Sequence, residues 1–187
     1  MRKLLFLFCL LALFAATGCA DKAVISESDA ADAVTDYLAR NPEYETSRFD
    51  YGEMKFSSKK EREMLKIYQD LAAGGLVELK PLEQKKKFLS KDSAYTYLVS
   101  LTDEARPLVM EQARDRATVR VFQYQLADDK PVSFKNVSSS RAEVTLSLKK
   151  VPTPFAPIAD SKALNSTFVN KTYKLRFSKD NGWSVKK

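Results

Sequence analysis

The sequence predicts an α+β protein: a helical N-terminal part over residues 28–113, followed by a C-terminal antiparallel β-sheet of about four strands over residues 114–187. Three observations lead there. Apolar residues recur at helical spacing in two early segments, each opened by a serine suited to a helix start. Ala142, Val144, Leu146 and Leu148 alternate with Glu143, Thr145, Ser147 and Lys149, the pattern of a strand with one wet face. Near the C terminus, Lys179-Asp180-Asn181-Gly182 is a hairpin-turn signature between two apolar alternations.

The elements follow in order. Residues 28–40 read as a helix capped by Ser28, with Asp29 and Asp32 in its first turn and Ala31, Val34, Tyr37 and Leu38 on one face. Asn41-Pro42 stops it. Residues 44–56 are mixed, with Phe49, Tyr51, Met54 and Phe56 as buried anchors. Ser58 with Glu61 three residues later is a capping-box pattern, and Met64, Leu65, Tyr68, Leu71 and Ala72 form the stripe behind it. Gly74-Gly75 ends that helix. Leu76 to Leu79 reads as a strand, residues 81–92 as a polar connection containing Lys85, Lys86 and Lys87, and Tyr95, Tyr97, Val99 and Leu101 as the returning strand. Thr102-Asp103-Glu104-Ala105 starts a further helix that Pro107 either kinks or opens.

The runs Asp70-Leu71-Ala72-Ala73-Gly74-Gly75-Leu76-Val77-Glu78 and Tyr97-Leu98-Val99-Ser100-Leu101-Thr102-Asp103-Glu104-Ala105 resemble a winged-helix domain. That resemblance implies helix, Gly-Leu-Val, wing, Leu-Thr and a final helix.

From Arg116 the pattern is strand-like. Ala117, Val119 and Val121 point one way and Phe122 and Tyr124 the other, so a bulge or a twisted, two-sided strand is expected. Val132, Phe134 and Val137 form the next strand, and Val169, Tyr173, Leu175 and Phe177 line the inner face of another. Trp183 and Val185 return to the same core. The ending, residues 175–185, resembles the last hairpin of cystatin-like and NTF2-like envelope proteins.

The N terminus carries a different signal. Arg2 and Lys3 supply a positive start, and residues 4–16 form an uncharged apolar run of 13. A bilayer span takes about 20. The run closes on Ala16-Thr17-Gly18-Cys19, which resembles a bacterial lipobox, although Ala16 stands where a larger aliphatic usually opens that motif. The resemblance implies a signal peptide over residues 1–18, palmitate and related acyl chains on Cys19, and a tether over residues 19–27. The product would be a lipoprotein held to a membrane of the cell envelope. Ala20, not Asp, after Cys19 implies the outer membrane, facing the periplasm. An ordinary secretory signal with a chance cysteine is the alternative reading.

Composition narrows the chemistry. Histidine is absent, which removes Ser-His and Cys-His catalysis and histidine-bound zinc. Of the two cysteines, Cys9 would leave with the signal and Cys19 would take lipid, so no disulfide is expected. No catalytic residue, metal or cofactor is assigned. Charge is uneven: residues 20–54 hold 3 basic and 9 acidic side chains, and residues 131–187 hold 11 basic and 3 acidic.

Function is therefore expected to be binding. The sequence suggests a membrane-anchored binding or assembly factor that is not an enzyme. Its partners would be the membrane, through the lipid, and an envelope protein or anionic surface, with no nucleic acid. Candidate contacts are Phe155, held in the Pro152-Thr153-Pro154 to Pro157 segment, and Lys149, Lys174 and Arg176 on a wet strand face, with Arg141, Lys150, Lys171 and Lys179 near the strand ends. Each has a plainer reading: Phe155 folding over the end of the sheet, and lysines keeping sheet edges soluble. The basic run Lys59, Lys60, Arg62 and Lys66 reads as a solvated helix face. An inhibitor or immunity lipoprotein that blocks a toxin or hydrolase is the alternative. A carboxylate hydrolase using Asp103, Glu104 or Glu111 ranks last.

Overall fold

In the computed structural model, residues 24–86, 93–128 and 130–186 are described. The elements are α1 (Glu27–Arg40), β1 (Tyr44–Asp50), β2 (Gly52–Phe56), α2 (Lys59–Ala73), β3 (Val77–Lys86), β4 (Ser93–Leu101), a 3-10 turn (Asp103–Leu108), β5 (Val109–Gln112), β6 (Arg116–Leu126), β7 (Ser133–Ser138), β8 (Arg141–Pro152), a 3-10 turn (Ala156–Ile158), α3 (Ser161–Leu164), β9 (Phe168–Ser178) and β10 (Gly182–Val185).

The expected helical, winged-helix-like first half is overturned. The molecule is mostly β, with a curled antiparallel sheet of seven strands and a smaller sheet of three. The large sheet runs β1-β6-β8-β9-β10, with β5 also on β6 and β7 also on β8. The small one runs β2-β4-β3. Strands β1 and β5 both lie before residue 114, yet both pair with β6. The expected final helix after Thr102 is a 3-10 helix of six residues. Pro107 sits inside it with no N–H to donate, and the chain leaves at once into the β-branched start of β5.

Helix α1 begins at Glu27, one residue before the expected range. Its cap is Ser26, whose hydroxyl accepts from the Asp29 N–H at 3.1 Å and donates to Asp29 Oδ2 at 2.7 Å. Helix α2 begins and ends as the sequence indicates. Glu61 Oε2 accepts from the backbone N–H groups of Ser58 and Ser57 at 2.7 and 2.8 Å, completing the capping box. At the other end, Leu76 N–H donates to the Leu71 carbonyl and Gly75 N–H to that of Ala72, with Gly75 at φ +75°. This is a Schellman termination, and it needs a residue that tolerates positive φ.

Two cores result. In one, α2 sets Leu65, Tyr68 and Leu71 against Phe49, Phe56, Val99 and Val119, all buried. In the other, Ala30, Ala31 and Val34 of α1 cover Ala142, Val144, Leu146 and Leu148, which are at most 1% exposed. Each fully buried leucine here contributes about 2 kcal/mol. Of the two arrangements the sequence allowed in β6, the bulge forms: Glu45 opposes Phe122 and Thr46 opposes Arg120, leaving Val121 as the extra residue. Ala117, Val119 and Val121 therefore feed the first core, while Tyr124 and Leu126 reach the second.

Candidate functional site: a basic face of the large sheet

Strand β8 is two-sided. Its even-numbered residues from Ala142 to Leu148 are buried under α1, so its odd-numbered residues face away. The pairing with β9 carries this parity across: Ala142 opposes Leu175 on the inside, and Arg141 opposes Arg176 on the outside. Glu143 opposes Lys174 on β9 and Lys135 on β7. Beyond β9, Lys186 N–H donates to the Lys174 carbonyl at 2.8 Å, which extends the same row. Two neighbouring rows thus bring together Lys135, Arg141, Lys174, Arg176 and Lys186, all exposed, around one acid, Glu143. Lys174 Nζ reaches Glu143 only at 4.0 Å.

The Arg141–Arg176 pair is close. Phe177 N–H donates to the Ser140 carbonyl one step away, so the arginines occupy a non-hydrogen-bonded position, where opposing Cα atoms come to about 4.5 Å. Beside them, β7 carries a bulge between Asn136 and Ser138. Val137 is its extra residue, and it is 47% exposed. Together these side chains line a hollow of about 540 Å³. The next row along is neutral, with Thr145 and Thr172 hydroxyls 2.8 Å apart.

Of the sequence-derived contacts, the structure joins Lys174 and Arg176 with Arg141. Lys149 faces the same way but opposes Phe168, six residues along β8 from Glu143 and roughly 20 Å away. Phe155 is corrected: it is fully buried and packs edge-on to Phe49 with ring centres 5.3 Å apart. Thr153 fixes it there, its hydroxyl donating to the Arg120 carbonyl at 2.6 Å and accepting from Phe155 N–H at 3.2 Å. The proline-rich segment folds over the end of the sheet and presents no aromatic contact. Cys19 lies outside the described residues.

Lys150 and Lys171 are also corrected, since neither lies on the outer face. Lys150 continues the buried parity of β8 and is 8% exposed. Its Nζ sits 2.6 Å from Glu45 Oε2, donates to the Ala163 carbonyl at 2.9 Å, and lies 4.8 Å from the centre of the Phe122 ring. Lys171 pairs with Glu43 and lies 5.1 Å from the centre of the Tyr124 ring. The hydroxyls of Tyr124 and Tyr173 donate to Glu45 and Glu43, each at 3.2 Å. Burial first, then the Glu45 and Glu43 carboxylates, push the Tyr124 phenol up to about 12. Burial and Glu43 likewise hold Tyr173 above the usual range. Both phenols therefore stay protonated as donors. This network clamps β1, β6, β8 and β9 together where the two cores meet.

A second concavity, of about 850 Å³, lies between α1 and β10, with Asp29, Asp32 and Asp36 on its rim and Tyr37 and Trp183 in its wall. Asp103 is paired with Arg106 at 2.9 Å, with both side chains in solvent. Among the described residues no three His, Cys, Asp or Glu side chains gather as a metal-holding group. Comparison with protein-family models, curated proteins and solved structures finds no match for this chain.

Proposed function

We propose that this chain is a lipid-anchored protein of the cell envelope, most at home on the periplasmic side of the outer membrane, that acts by binding. Its contact surface is the basic outer face around Arg141, Lys174, Arg176 and Lys186, and its partner is anionic. One observation carries this reading. Like charges placed directly opposite on a sheet are destabilising. Arg141 and Arg176 are so placed on an open face, which two rows on carries the small polar pair Thr145–Thr172 instead. A face that keeps repelling cations is suited to an anion that sits between them.

The experiment has two arms. Cells expressing the full chain are fed an alkyne analogue of palmitate, which is expected to label the protein and to fail with Cys19→Ser. Crosslinking in the same cells through a photoreactive residue at Ser139, beside the face, is expected to yield an anionic partner, and to lose it in Arg141→Gln/Arg176→Gln. Absence of label on the unaltered chain overturns the anchor. An unchanged crosslinking pattern in the double variant overturns the basic face.

A further inference from the structure

We infer that the anionic partner of this face is the phospholipid headgroup surface of the membrane in which the chain is anchored. The inference rests on the lipid-anchor reading above and adds an orientation to it. It comes from where the N-terminal segment meets the fold. Ile25 is buried in the α1-covered core that also holds Ala142 and Leu175, and its carbonyl accepts from Asn136 Nδ2 at 3.2 Å. Asn136 opposes Ala142, and the next register step on β8 and β9 is Arg141–Arg176. The chain therefore enters the fold at the end of the sheet that carries the cations. It enters on the inner face, one packed layer or about 10 Å from them.

The tether is short. From Cys19 to Val24 there are five residue steps, which reach at most about 18 Å when extended. An anchor so short keeps that end of the sheet at the bilayer, within a few Debye lengths of about 8 Å. At that range five exposed cations meet an anionic headgroup layer without the diffusional search that a separate acidic protein would require. Val137 adds an apolar side chain beside Arg141, which suits the boundary between headgroups and acyl chains. The opposite end of β8, Pro152, lies roughly 35 Å away, paired with Phe122 of the α2-covered core. Held in this way, the protein stands with its basic end on the membrane and its small sheet and α2 directed away from it.

The test uses the full-length lipidated protein, reconstituted into vesicles. With Cys9 removed and Cys19 acylated, an introduced cysteine is the chain's free thiol. A fluorophore is placed at Ser139→Cys, in the turn beside the cluster, or at Gln69→Cys on exposed α2, and quenching by a headgroup-linked acceptor is read. In phosphatidylglycerol vesicles the Ser139 label is expected to be quenched several-fold more than the Gln69 label. The difference should vanish in phosphatidylcholine vesicles, at high salt, and in Arg141→Gln/Arg176→Gln. Equal quenching of the two labels, or quenching indifferent to lipid charge, overturns the inference while the protein remains anchored. A face that ignores phosphatidylglycerol yet binds polyglutamate overturns it in favour of an acidic protein. Loss of the chain from the vesicles overturns the anchor reading, and this inference with it.

Discussion

Lys150 Nζ lies 2.6 Å from Glu45 Oε2, on the opposite side of β8 from Arg141 and Lys149. The Lys150 side chain is 6% exposed and that of Glu45 27%. Removing one partner of such a pair strands the other, which typically costs about 3 kcal/mol. Lys150→Met keeps the length of the side chain and deletes its charge. It is expected to lower unfolding free energy by about that amount in urea melts. Lys150→Met/Glu45→Gln should recover part of the loss, because no unpaired carboxylate then remains. A single variant as stable as the original chain would show that the pair is not the clamp between β1 and β8.

Phe155 gives a second expectation of the same order. It is fully buried, with the Phe49 ring edge-on. Phe155→Ala is expected to cost about 3–5 kcal/mol of stability. Once the chain is folded at low temperature, vesicle contact by the basic face should be unaltered, since the two lie at opposite ends of β8. Lost contact in folded protein would return Phe155 to the binding surface.

Much of this was legible in the sequence, and the failures have identifiable causes. The alternation in β8, the capping box at Ser58 and the Gly74-Gly75 stop are all present in the fold, because each is a local pattern, and the change of side after Val121 resolves as a bulge. The inward parity of Lys150 and Lys171 was also present. Lys150 follows Leu148 by two, and Lys171 lies between Val169 and Tyr173 on the inner set. Charge type masked it, and the partners that make burial tolerable, Glu45 and Glu43, lie more than 100 residues away. The large sheet was missed for a related reason. Strand β1 finds its partner in β6, more than 60 residues later, so that pairing leaves no short-range signature. Strand β5 meets β6 in a local hairpin through residues 113–115, which the helix-start pattern at Thr102-Asp103-Glu104-Ala105 concealed. Of the candidate site, Lys174 and Arg176 were visible from alternation. Their union with Lys135 and Arg141 needed the register.

Gly75 tests the helix-to-strand junction. Its φ is +75°, and a Cβ there would lie 2.6 Å from Glu104 Oε2. Gly75→Ala is expected to destabilise by about 1–2 kcal/mol, from the left-handed backbone and from displacing Glu104. Gly75→Ala/Glu104→Ala should recover the steric share alone. Thermal melts of both variants separate the two contributions. A fully recovered double variant would mean that backbone conformation contributes nothing here.

Acid should loosen the start of α2. Hydrogen bonds from Ser58 and Ser57 hold the Glu61 carboxyl down at about 2, against 4.5 in the unfolded chain. A lowered folded-state value favours the ionised form, so its contribution is complete above pH 4.5 and is lost as pH falls toward 2. Glu61→Gln removes the titration. Its stability should therefore decline less steeply than that of the unaltered chain across this window, as followed by helical circular dichroism. Parallel slopes would show that the box does not couple to acid unfolding.

The arginine pair predicts a trade between stability and binding. Arg141 and Arg176 oppose one another in the closer type of antiparallel pair, and both are exposed. Replacing one with a β-branched neutral residue removes the repulsion and suits the strand. Arg141→Thr is expected to raise unfolding free energy by about 0.5 kcal/mol while weakening the contact with phosphatidylglycerol vesicles. The two effects must have opposite signs if the pair is retained for its ligand. If Arg141→Thr instead lowers stability, the guanidinium is held by the fold, and the repulsion that supports the binding reading is absent. If stability rises with vesicle contact intact, the pair is a tolerated cost and the contact lies with Lys135, Lys174 and Lys186.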